Sequence, residues 1–565
     1  MSPRIAIIGS GPTGIYTLKG LVHARTPLDI SVFEAGDDPG RGTPYHPDIN
    51  DPAMLSNIAS IEIPPITETL VEWLERQSDA RLAEMQIARA AIDIRAFYPR
   101  LVLGDYFRTQ FLSLLEIGAQ NGHRIEVHER HRVIDIALQH DDIRLAVRAE
   151  GEPDASDWVF DHVVMATGHN WPEHTETKPG YFISPWPATA LSVIRNCKVG
   201  ILGTSLSGID ALMTVATAHG AFYFDAAGEM QYQPSPDTDA FHATMMSRKG
   251  LLPEADFYCP LPYIPPRICT ADAIDALIAT GRHDLLDDVF ELFRAEMFDA
   301  DPEYSARIGL ADLTVETIAE AYFAERLVSD PFVWAAKNLA ETEHNKTVRY
   351  TVPWRYAILR MHEEIARVVP HLDERDLKRF HRYFKTVFVD DYAAVPPTSI
   401  ARLLALHRAG KLAVTALGED YEITTQEGVR GVTVRRDGDT VQYDAFIDAT
   451  GQHSMSATDL PFPTLIAQGG VRKAMTPAPQ DGLIDEDHAP LQRRTGGIDI
   501  DETFRPVFTD GQFTNHLYCA AISFLLHKLP FVQGITSAAE IGETVAEAIL
   551  DDVGDTAKTG ILLSA

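Results

Sequence analysis

The sequence predicts an α/β protein with two dinucleotide-binding, Rossmann-like domains, the second inserted in the first, and an added helical module. Two glycine-rich turns, at residues 9–14 and 203–208, each follow an apolar run and precede a helical pattern. Two other apolar runs end in Ala-Thr-Gly, at residues 166–168 and 449–451. Between them, residues 270–385 are acidic and carry apolar side chains at helical spacing. Because strand–turn–helix units of this kind build parallel sheets, these observations predict the fold class.

The first glycine turn reads Gly-Ser-Gly-Pro-Thr-Gly, and Glu34 follows its last glycine by twenty residues. This is the dinucleotide-binding fingerprint in the order strand, glycine turn, helix, strand and acid. The glycines permit a tight turn and close approach of the backbone to a pyrophosphate, and the acid accepts hydrogen bonds from a ribose. The alternative is a glycine turn without a ligand. The residues predicted here to bind the dinucleotide are Gly9, Gly11, Pro12, Thr13, Gly14 and Glu34.

The segment after the second strand, residues 36–65, is rich in Gly, Pro, Asp and Asn and has no periodicity, which predicts a loop. In a flavin enzyme a loop at this position wraps the ring system and the pyrophosphate, and the alternative is an ordinary surface loop. Residues 67–120 predict helices, and residues 124–165 predict strands. The cofactor contacts predicted from this part of the chain are Arg41, Gly42, Asn57 and Val133.

The second glycine turn reads Gly-Thr-Ser-Leu-Ser-Gly and follows a strand at residues 199–202. A central serine is small enough for close approach, and its hydroxyl can bind a phosphate. The next strand of the unit is predicted at residues 243–246, after a hairpin insertion around residues 222–232. Ser-Arg-Lys-Gly follows this strand. A cation at this position favours binding of the 2'-phosphate of NADPH. The alternative is that both cations belong to a solvated loop end without a ligand. The residues predicted to bind NADPH are Gly203, Ser205, Ser207, Gly208, Arg248 and Lys249.

The Ala-Thr-Gly ends mark the crossings between the nucleotide domains, and a strand, a glycine loop and a helix close the first domain. The predicted domains are an FAD-binding part at 1–175, an NADPH-binding domain at 176–268, a mostly helical module at 269–410 and a return to the FAD-binding domain at 411–565. The crossings and the closing loop add the predicted cofactor contacts Thr167, Gly168, Thr450, Gly451, Gly534 and Ile535.

The composition limits the classes of function. A formal net charge of -32 over 565 residues disfavours binding to nucleic acid or to anionic membrane surfaces, which need basic protein surfaces. The four cysteines are scattered without Cys-x-x-Cys, so we expect free thiols in a reducing, cytoplasmic compartment and no disulfide-reductase chemistry. The first strand leaves no room for a signal peptide, and no apolar run has the length of a membrane span. The histidines lack ligand spacing, so we expect no metal.

The chain resembles the two-dinucleotide-binding flavoproteins that include flavin-containing and N-hydroxylating monooxygenases. This resemblance rests on the two glycine turns, Glu34 and the two Ala-Thr-Gly ends. More narrowly, the chain resembles a bacterial family of FAD/NAD(P)-binding proteins that includes the actinobacterial L-aspartate N-monooxygenases, which form nitrosuccinate. The narrower resemblance rests on residues 40–45, 179–187 and 247–253, spans most of the chain and weakens through residues 270–400.

The resemblance implies a monooxygenase that uses FAD, NADPH and O2. In such enzymes a flavin C4a-hydroperoxide hydroxylates the nitrogen of a small amine or amino acid, and L-aspartate is a candidate substrate. That chemistry depends on positioning and on exclusion of water, and the sequence identifies no catalytic side chain. The carboxylates of an amino-acid substrate need cationic side chains as partners. For each candidate cation the alternative role is a solvated surface charge or a salt bridge. The candidate substrate ligands are Arg267, Arg379, Arg382 and Lys385.

Two other functions stay open at this point. One is an NAD(P)H-dependent flavoprotein reductase that inserts no oxygen, and the other is a non-catalytic nucleotide-binding protein that senses redox state. The expected partners are a small-molecule amine or amino acid and O2, with no nucleic acid and no membrane. The sequence leaves the oligomeric state open, with a homo-oligomer among the alternatives.

Overall fold

The computed structural model contains two domains built on parallel sheets and a helical module, as the sequence predicts. It describes residues 2–140, 142–168, 175–451, 455–476, 494–532 and 534–554. The strands are β1 (Arg4–Ile8), β2 (Asp29–Phe33), β3 (Arg124–His128), β4 (His131–Leu138), β5 (Ile143–Ala149), β6 (Ser156–Phe160), β7 (His162–Met165), β8 (Glu176–Lys178), β9 (Tyr181–Phe182), β10 (Lys198–Leu202), β11 (Gly220–Phe224), β12 (Met230–Pro234), β13 (His242–Ser247), β14 (Leu412–Ala416), β15 (Tyr421–Thr424), β16 (Val432–Arg436), β17 (Asp439–Tyr443), β18 (Ala445–Asp448), β19 (Lys473–Met475), β20 (Arg494–Ile498) and β21 (Leu517–Cys519).

The helices connect these strands and build the module between them. They are α1 (Pro12–Leu21), α2 (Leu70–Glu75), α3 (Asp79–Glu84), α4 (Arg100–Gln120), α5 (Leu206–His219), α6 (Ala271–Ile278), α7 (Leu286–Ala300), α8 (Pro302–Arg307), α9 (Ile318–Leu327), α10 (Pro331–Val348), α11 (Pro353–Ala366), α12 (Glu374–Arg379), α13 (Lys385–Tyr392), α14 (Pro397–Arg408), α15 (Pro463–Ala467) and α16 (Gly534–Asp552). Among the described residues, no helix combines the length and the apolar character needed to span a lipid bilayer.

The sheet of the first domain has five parallel strands in the order β21-β7-β1-β2-β3. Its central strands are apolar and buried along almost their whole length, the pattern of strands covered on both faces. The last helix packs against the first one, where Gly542 of α16 lies against Tyr16 and Thr17 of α1. Strands β4, β5 and β6 form a separate antiparallel sheet. The two ends of the chain therefore build one domain, as the sequence predicts.

The sheet of the second domain has six strands in the order β14-β13-β10-β18-β9-β8. All neighbouring pairs are parallel except β8 with β9. The predicted strand at residues 243–246 is β13, and the predicted insertion before it is the hairpin β11–β12. This sheet is inserted between β7 and β21 of the first one, which confirms the nested arrangement.

The second domain extends further along the chain than the sequence predicts. Leu412 in β14 pairs with Ala243 in β13, and Phe446 in β18 pairs with Gly200 in β10. Helix α14 packs on β12 and β14, and so it also belongs to this domain. The predicted start of the returning FAD-binding domain at residue 411 is therefore wrong. The crossing follows β18, at the second Ala-Thr-Gly end, which the sequence also predicts to mark it. An apolar strand pattern gives a strand's burial, and its choice of sheet depends on distant partners.

Helices α6 to α13 form the helical module, with an aromatic core between α7, α11 and α13. Phe293 lies between Phe384 and Phe388, with edge-on ring contacts at centroid distances of 5.1 and 5.7 Å. Phe531, from the C-terminal part of the first domain, joins this core with its ring 5.5 Å from that of Phe388. The module is thus packed directly against the first domain.

Candidate cofactor and substrate site

Each glycine turn rests on the alanine of an Ala-Thr-Gly end. Gly9 has φ +105°, and a Cβ atom built on it would lie 2.3 Å from the carbonyl oxygen of Ala166. Gly203 has φ +124°, and the same construction gives 2.5 Å to the carbonyl oxygen of Ala449. A side chain at either position would overlap backbone and would need a conformation that L-residues rarely adopt. The turn and the strand end of each domain are therefore in backbone-to-backbone contact.

The last glycine of each turn brings a helix onto its strand. A Cβ atom on Gly14 would lie 2.2 Å from the Gly9 oxygen, and one on Gly208 would lie 2.4 Å from the Gly203 oxygen. The helices that follow, α1 and α5, have no side-chain capping hydrogen bond at their N-termini. Their first N–H groups, together with the helix dipole, form a site for phosphate. The residues present at both turns fit the pyrophosphate of a dinucleotide.

Glu34 lies at the end of β2, beside the first turn. Its Oε2 accepts hydrogen bonds from the Ser10 hydroxyl at 2.6 Å and the Ser10 N–H at 3.2 Å, and its Oε1 accepts from Gly36 N–H at 3.0 Å. A carboxylate has about four acceptor positions, so Glu34 retains capacity for a ribose hydroxyl. These contacts hold the carboxylate in the position that the fingerprint requires.

The loop after β2 covers the first turn. A Cβ atom on Gly42 would lie 2.7 Å from Cδ of Pro12, so the loop and the turn are in close contact. Arg41 is held by carboxylates: it pairs with Asp38, and its Nη1 lies 2.6 Å from Asp105 Oδ1. Both ion pairs already engage the guanidinium of Arg41. Its contact with a cofactor stays a prediction. Among the other predicted contacts of this domain, Val133 is buried in β4, and Thr167 and Gly168 follow β7 directly.

A cavity of about 550 Å³ lies where the two nucleotide domains meet the helical module. Residues 256–263 and side chains of α10, α11 and α13 form part of its wall. Predicted cofactor residues from both nucleotide domains also line it, and these are Asn57, Ser205, Ser207, Thr450, Gly451, Gly534 and Ile535. Sites predicted from distant parts of the sequence therefore meet at one space.

The ionisable side chains of this cavity were not among the site residues predicted from the sequence. Asp256, Glu62 and Arg95 line it. Burial, and next the negative charge of Glu62, raise the pKa of Asp256 to about 7. Glu62 accepts a hydrogen bond of 2.8 Å from the Tyr263 hydroxyl. These residues lie in non-periodic segments, and the signal that could have found them is the run of aromatic and proline residues at 257–266.

The backbone around Asp256 is fixed on both sides. The Asp256 N–H donates to the Val395 oxygen at 2.8 Å, and the Ala255 N–H donates to Asn338 Oδ1 at 2.7 Å. Glu254 forms an ion pair with Arg355, and both side chains are buried. Within the part of the chain that the structure describes, the Asp256 carboxylate has no hydrogen-bond or ion-pair partner. The segment thus presents an unpaired carboxylate at a fixed position in the cavity wall.

The four predicted substrate cations do not line this cavity. Arg379 lies 2.7 Å from Asp287 and 2.6 Å from Glu316 in an ion-pair network. Arg267 has a side chain that is 75% exposed. Arg382 lies just before α13, and Lys385 is the first residue of α13. The wall of the cavity is instead formed by the other end of α13, at residues 389–392, so the predicted role of the four cations gains no support.

Arg248 and Lys249 follow β13 as the sequence predicts. Arg248 is exposed, with Nη1 3.9 Å from Glu419 Oε1. The ammonium of Lys249 lies 3.5 Å from the ring centroid of Phe323 in α9, and burial lowers its pKa to about 8. Lys249 therefore contacts the helical module, and Arg248 is the more accessible of the two for a 2'-phosphate, which stays a prediction.

The cysteines are free thiols, and Cys259, Cys269 and Cys519 are buried. Burial raises the pKa of each of these three to about 12, so they are neutral near pH 7. The predicted absence of a metal stays a prediction. One group with ligand chemistry, formed by His162, His516 and Asp552, has its ligand atoms within 4.8 Å of one another. It lies at the amino ends of β7 and β21, the sheet edge opposite the glycine turns.

Comparison with known proteins agrees with this architecture. Residues 6–170 match the family described as FAD-NAD(P)-binding, and residues 270–392 match the YdhS-like middle domain. The chain is 43% identical over 547 residues to the uncharacterized protein YdhS of Escherichia coli (strain K12), which covers 97% of each chain. The predicted cofactor class, FAD with NAD(P), and the predicted bacterial FAD/NAD(P)-binding family are confirmed.

Two solved structures are similar to nearly the whole of this chain. The ornithine N-hydroxylase KtzI of Kutzneria sp. 744 is similar with a TM-score of 0.50 at 13% identity, covering 98% of this chain and 100% of that one. The ornithine hydroxylase PvdA of Pseudomonas aeruginosa has a TM-score of 0.48 at 13% identity, with the same coverage. The likeness to KtzI confirms the predicted fold class.

Replacing Gly203 with alanine is expected to impair NADPH binding while FAD is retained. The strained backbone at φ +124° costs about 1–3 kcal/mol, which corresponds to roughly 5- to 150-fold weaker binding. The measurement is anaerobic bleaching of the bound flavin by NADPH, with dithionite reduction as the control that does not depend on this turn. A variant that loses FAD and NADPH reactivity together would contradict the assignment of the two turns to different cofactors.

Proposed function

The chain belongs to the family of the Escherichia coli protein YdhS, and from this premise we propose that it is an FAD- and NADPH-dependent monooxygenase that hydroxylates the nitrogen of a small amine or amino acid. The overall reaction converts an amine, O2, NADPH and a proton to a hydroxylamine, water and NADP⁺. L-Aspartate is one candidate substrate, and the reducing cytoplasm is the proposed compartment, supported by the free thiols.

The observation that carries this proposal is the shared cavity. Two residues of the second glycine turn, Ser205 and Ser207, line the same space as Asn57 and Gly534 of the first domain. Hydride transfer needs the nicotinamide and the flavin to be brought together, and a cavity lined from both domains supports that arrangement. The likeness to the ornithine N-hydroxylase, whose structure contains reduced FAD, NADP⁺ and L-ornithine, favours oxygen insertion into nitrogen.

FAD, when bound, supplies hydride acceptance and the activation of O2. The chain's own residues bind and orient the reactants. The N-termini of α1 and α5 would hold the two pyrophosphates, Glu34 the ribose of FAD, and Arg248 the 2'-phosphate of NADPH. Aromatic and aliphatic side chains in the wall, among them Phe257 and Leu261, would exclude water from the reacting atoms.

The proposal is tested with purified protein reconstituted with FAD. We expect NADPH oxidation that is stimulated by substrate, O2 uptake in equal molar amount, and a hydroxylated product that carries ¹⁸O when ¹⁸O2 is supplied. NADPH is expected to reduce the flavin faster than NADH does at equal concentration. L-Aspartate, L-ornithine and L-lysine are the first substrates to be assayed, each separately, and a reaction without substrate is the control.

Two outcomes would contradict the proposal in different ways. Flavin reduction by NADPH with hydrogen peroxide as the only oxygen product, whichever substrate is present, would favour a flavoprotein reductase. A protein that stays colourless after reconstitution with FAD would overturn both enzymatic functions.

A further inference from the structure

We propose that Asp256 binds the ammonium group of the substrate and accepts its proton, so that the amine enters the reaction in its neutral form. This inference rests on the proposed function and assigns a residue to a step that the function leaves open. The step is a proton transfer: the N–H bond of the ammonium breaks, an O–H bond forms on the Asp256 carboxylate, and no electrons are exchanged. Only the neutral amine has the lone pair that forms the new bond to oxygen.

The position of Asp256 supports the first half of the proposal. Its carboxylate belongs to the cavity wall and has no hydrogen-bond or ion-pair partner among the described residues. A carboxylate that is desolvated without a partner is unfavourable, and a bound ammonium would supply the missing hydrogen bonds. Two other acids line the cavity. Glu62 already accepts hydrogen bonds from Tyr263 at 2.8 Å and from Ala59 N–H at 3.2 Å. Both oxygens of Asp391 are buried without a hydrogen-bond partner among the described residues, and burial raises the pKa of Asp391 well above its usual range, so its neutral form offers no charge to an ammonium.

The contacts of residues 254–256 hold the backbone of this segment in place and so position the Asp256 carboxylate. Backbone hydrogen bonds tie residues 254–256 to Val395, and the Asn338 side chain of α10 accepts from Ala255 N–H. The Glu254–Arg355 ion pair anchors the same segment to α11. Because the backbone on both sides is fixed, the Asp256 carboxylate has little freedom to leave the cavity wall. A fixed acceptor is the arrangement that proton transfer requires.

The surroundings of Asp256 support the second half of the proposal, the transfer of a proton to its carboxylate. An ordinary aspartate is a weak base, and its proton affinity rises when burial and nearby negative charge oppose ionisation. The groups that face Asp256 are Glu62 and Arg95 of the first domain, Lys346 of α10, Asp391 of α13, and Cys259 and Tyr263 of its own segment. Burial and Glu62 together outweigh Lys346 and Arg95 and raise the pKa of Asp256 to about 7, closer to that of an amine.

The principal test is Asp256→Asn in the FAD-reconstituted full chain, assayed with the substrate that the wild-type protein hydroxylates. We expect kcat/KM for hydroxylation to fall by about 10²-fold or more, the usual contribution of a positioned proton acceptor. The wild-type kcat/KM is expected to decrease as the pH falls through about 7, because protonated Asp256 neither pairs with an ammonium nor takes its proton. The variant is expected to lack this acidic limb. Asp272→Asn, an exposed carboxylate of the helical module outside the cavity lining, is the matched control.

A second variant keeps the test decisive if Asp256→Asn fails to fold. Glu62→Gln removes a negative charge that raises the pKa of Asp256. We expect the acidic limb of the wild-type profile to move to lower pH in this variant, a shift that a purely structural role of Asp256 would not produce. An unmoved limb would overturn the inference.

The outcomes also separate this inference from the proposed function. If the wild-type protein hydroxylates a substrate and Asp256→Asn keeps kcat/KM within about threefold with the same acidic limb, the inference is overturned and the function stands. If no amine or amino acid yields a hydroxylated product in the wild-type protein, the proposed function fails, and the role of Asp256 fails with it.

Discussion

Replacing Gly9 with alanine is expected to give a protein that purifies without FAD. The new Cβ atom would lie 2.3 Å from the Ala166 carbonyl oxygen, and φ of +105° is unfavourable for any L-residue. The strain alone costs about 1–3 kcal/mol, and separating the turn from β7 adds to it. The glycine turn and the N-terminus of α1 would shift together, so we expect flavin content to fall by about tenfold or more. The ratio of flavin to protein absorbance after reconstitution measures it.

A matched control separates backbone strain from loss of the binding site. Gly122 also has a positive φ, +86°, but nothing lies within 4 Å of a Cβ atom built on it. Gly122→Ala is therefore expected to carry the strain without the overlap and to retain its flavin. Equal flavin content in Gly9→Ala and the wild-type protein would contradict the assignment of this turn to FAD.

Replacing Arg355 with methionine is expected to cause a large loss of stability. Its guanidinium pairs with Glu254, and both side chains are buried, with 7% and 4% exposure. Removing one member leaves an uncompensated buried charge, which costs about 3–5 kcal/mol. At roughly 2–4 °C per kcal/mol for a domain of this size, the unfolding midpoint is expected to fall by about 10 °C. Differential scanning calorimetry of the FAD-loaded protein measures this change.

The double variant Glu254→Gln/Arg355→Met is the appropriate comparison. It removes both charges, and the glutamine can still accept the hydrogen bond that Trp334 Nε1 now donates to Glu254 at 2.7 Å. We expect it to be more stable than Arg355→Met alone, because no buried charge is left unpaired. A double variant that is no more stable than the single one would show that the unpaired charge of Glu254 does not dominate the effect.

The parts of the site that could be predicted are those encoded over short stretches. The two glycine turns, Glu34 and the Ala-Thr-Gly ends are recognisable because close backbone approach demands glycine at fixed spacing. Helical spacing likewise identified the module at residues 270–385, and the family match covers 270–392. The hairpin insertion before β13 was predictable because the gap between the second glycine turn and the next strand of the unit is longer than usual, and β11 and β12 fill it.

The charges of the cavity could not be predicted in the same way. Asp256 and Arg95 lie in segments without periodicity, and nothing local distinguishes them from surface charges. Arg379 is the opposite case: it was predicted as a substrate ligand, but its guanidinium pairs with Asp287 of α7 and with Glu316. A charge acquires its role from its partners, and those partners come from distant parts of the chain.

Local patterns in the sequence are enough to identify the two glycine turns, the acid that follows the first of them, and the helical module between the Ala-Thr-Gly ends. The folded chain is needed to show that β14 and β18 join the second sheet, and that the Asp256 carboxylate has no partner among the described residues in a cavity lined by both nucleotide domains. This difference follows from the distance along the chain over which each interaction acts. Turn geometry and helix periodicity are fixed by neighbours in sequence, whereas strand pairing, burial and the pairing of charges depend on residues that only folding brings together.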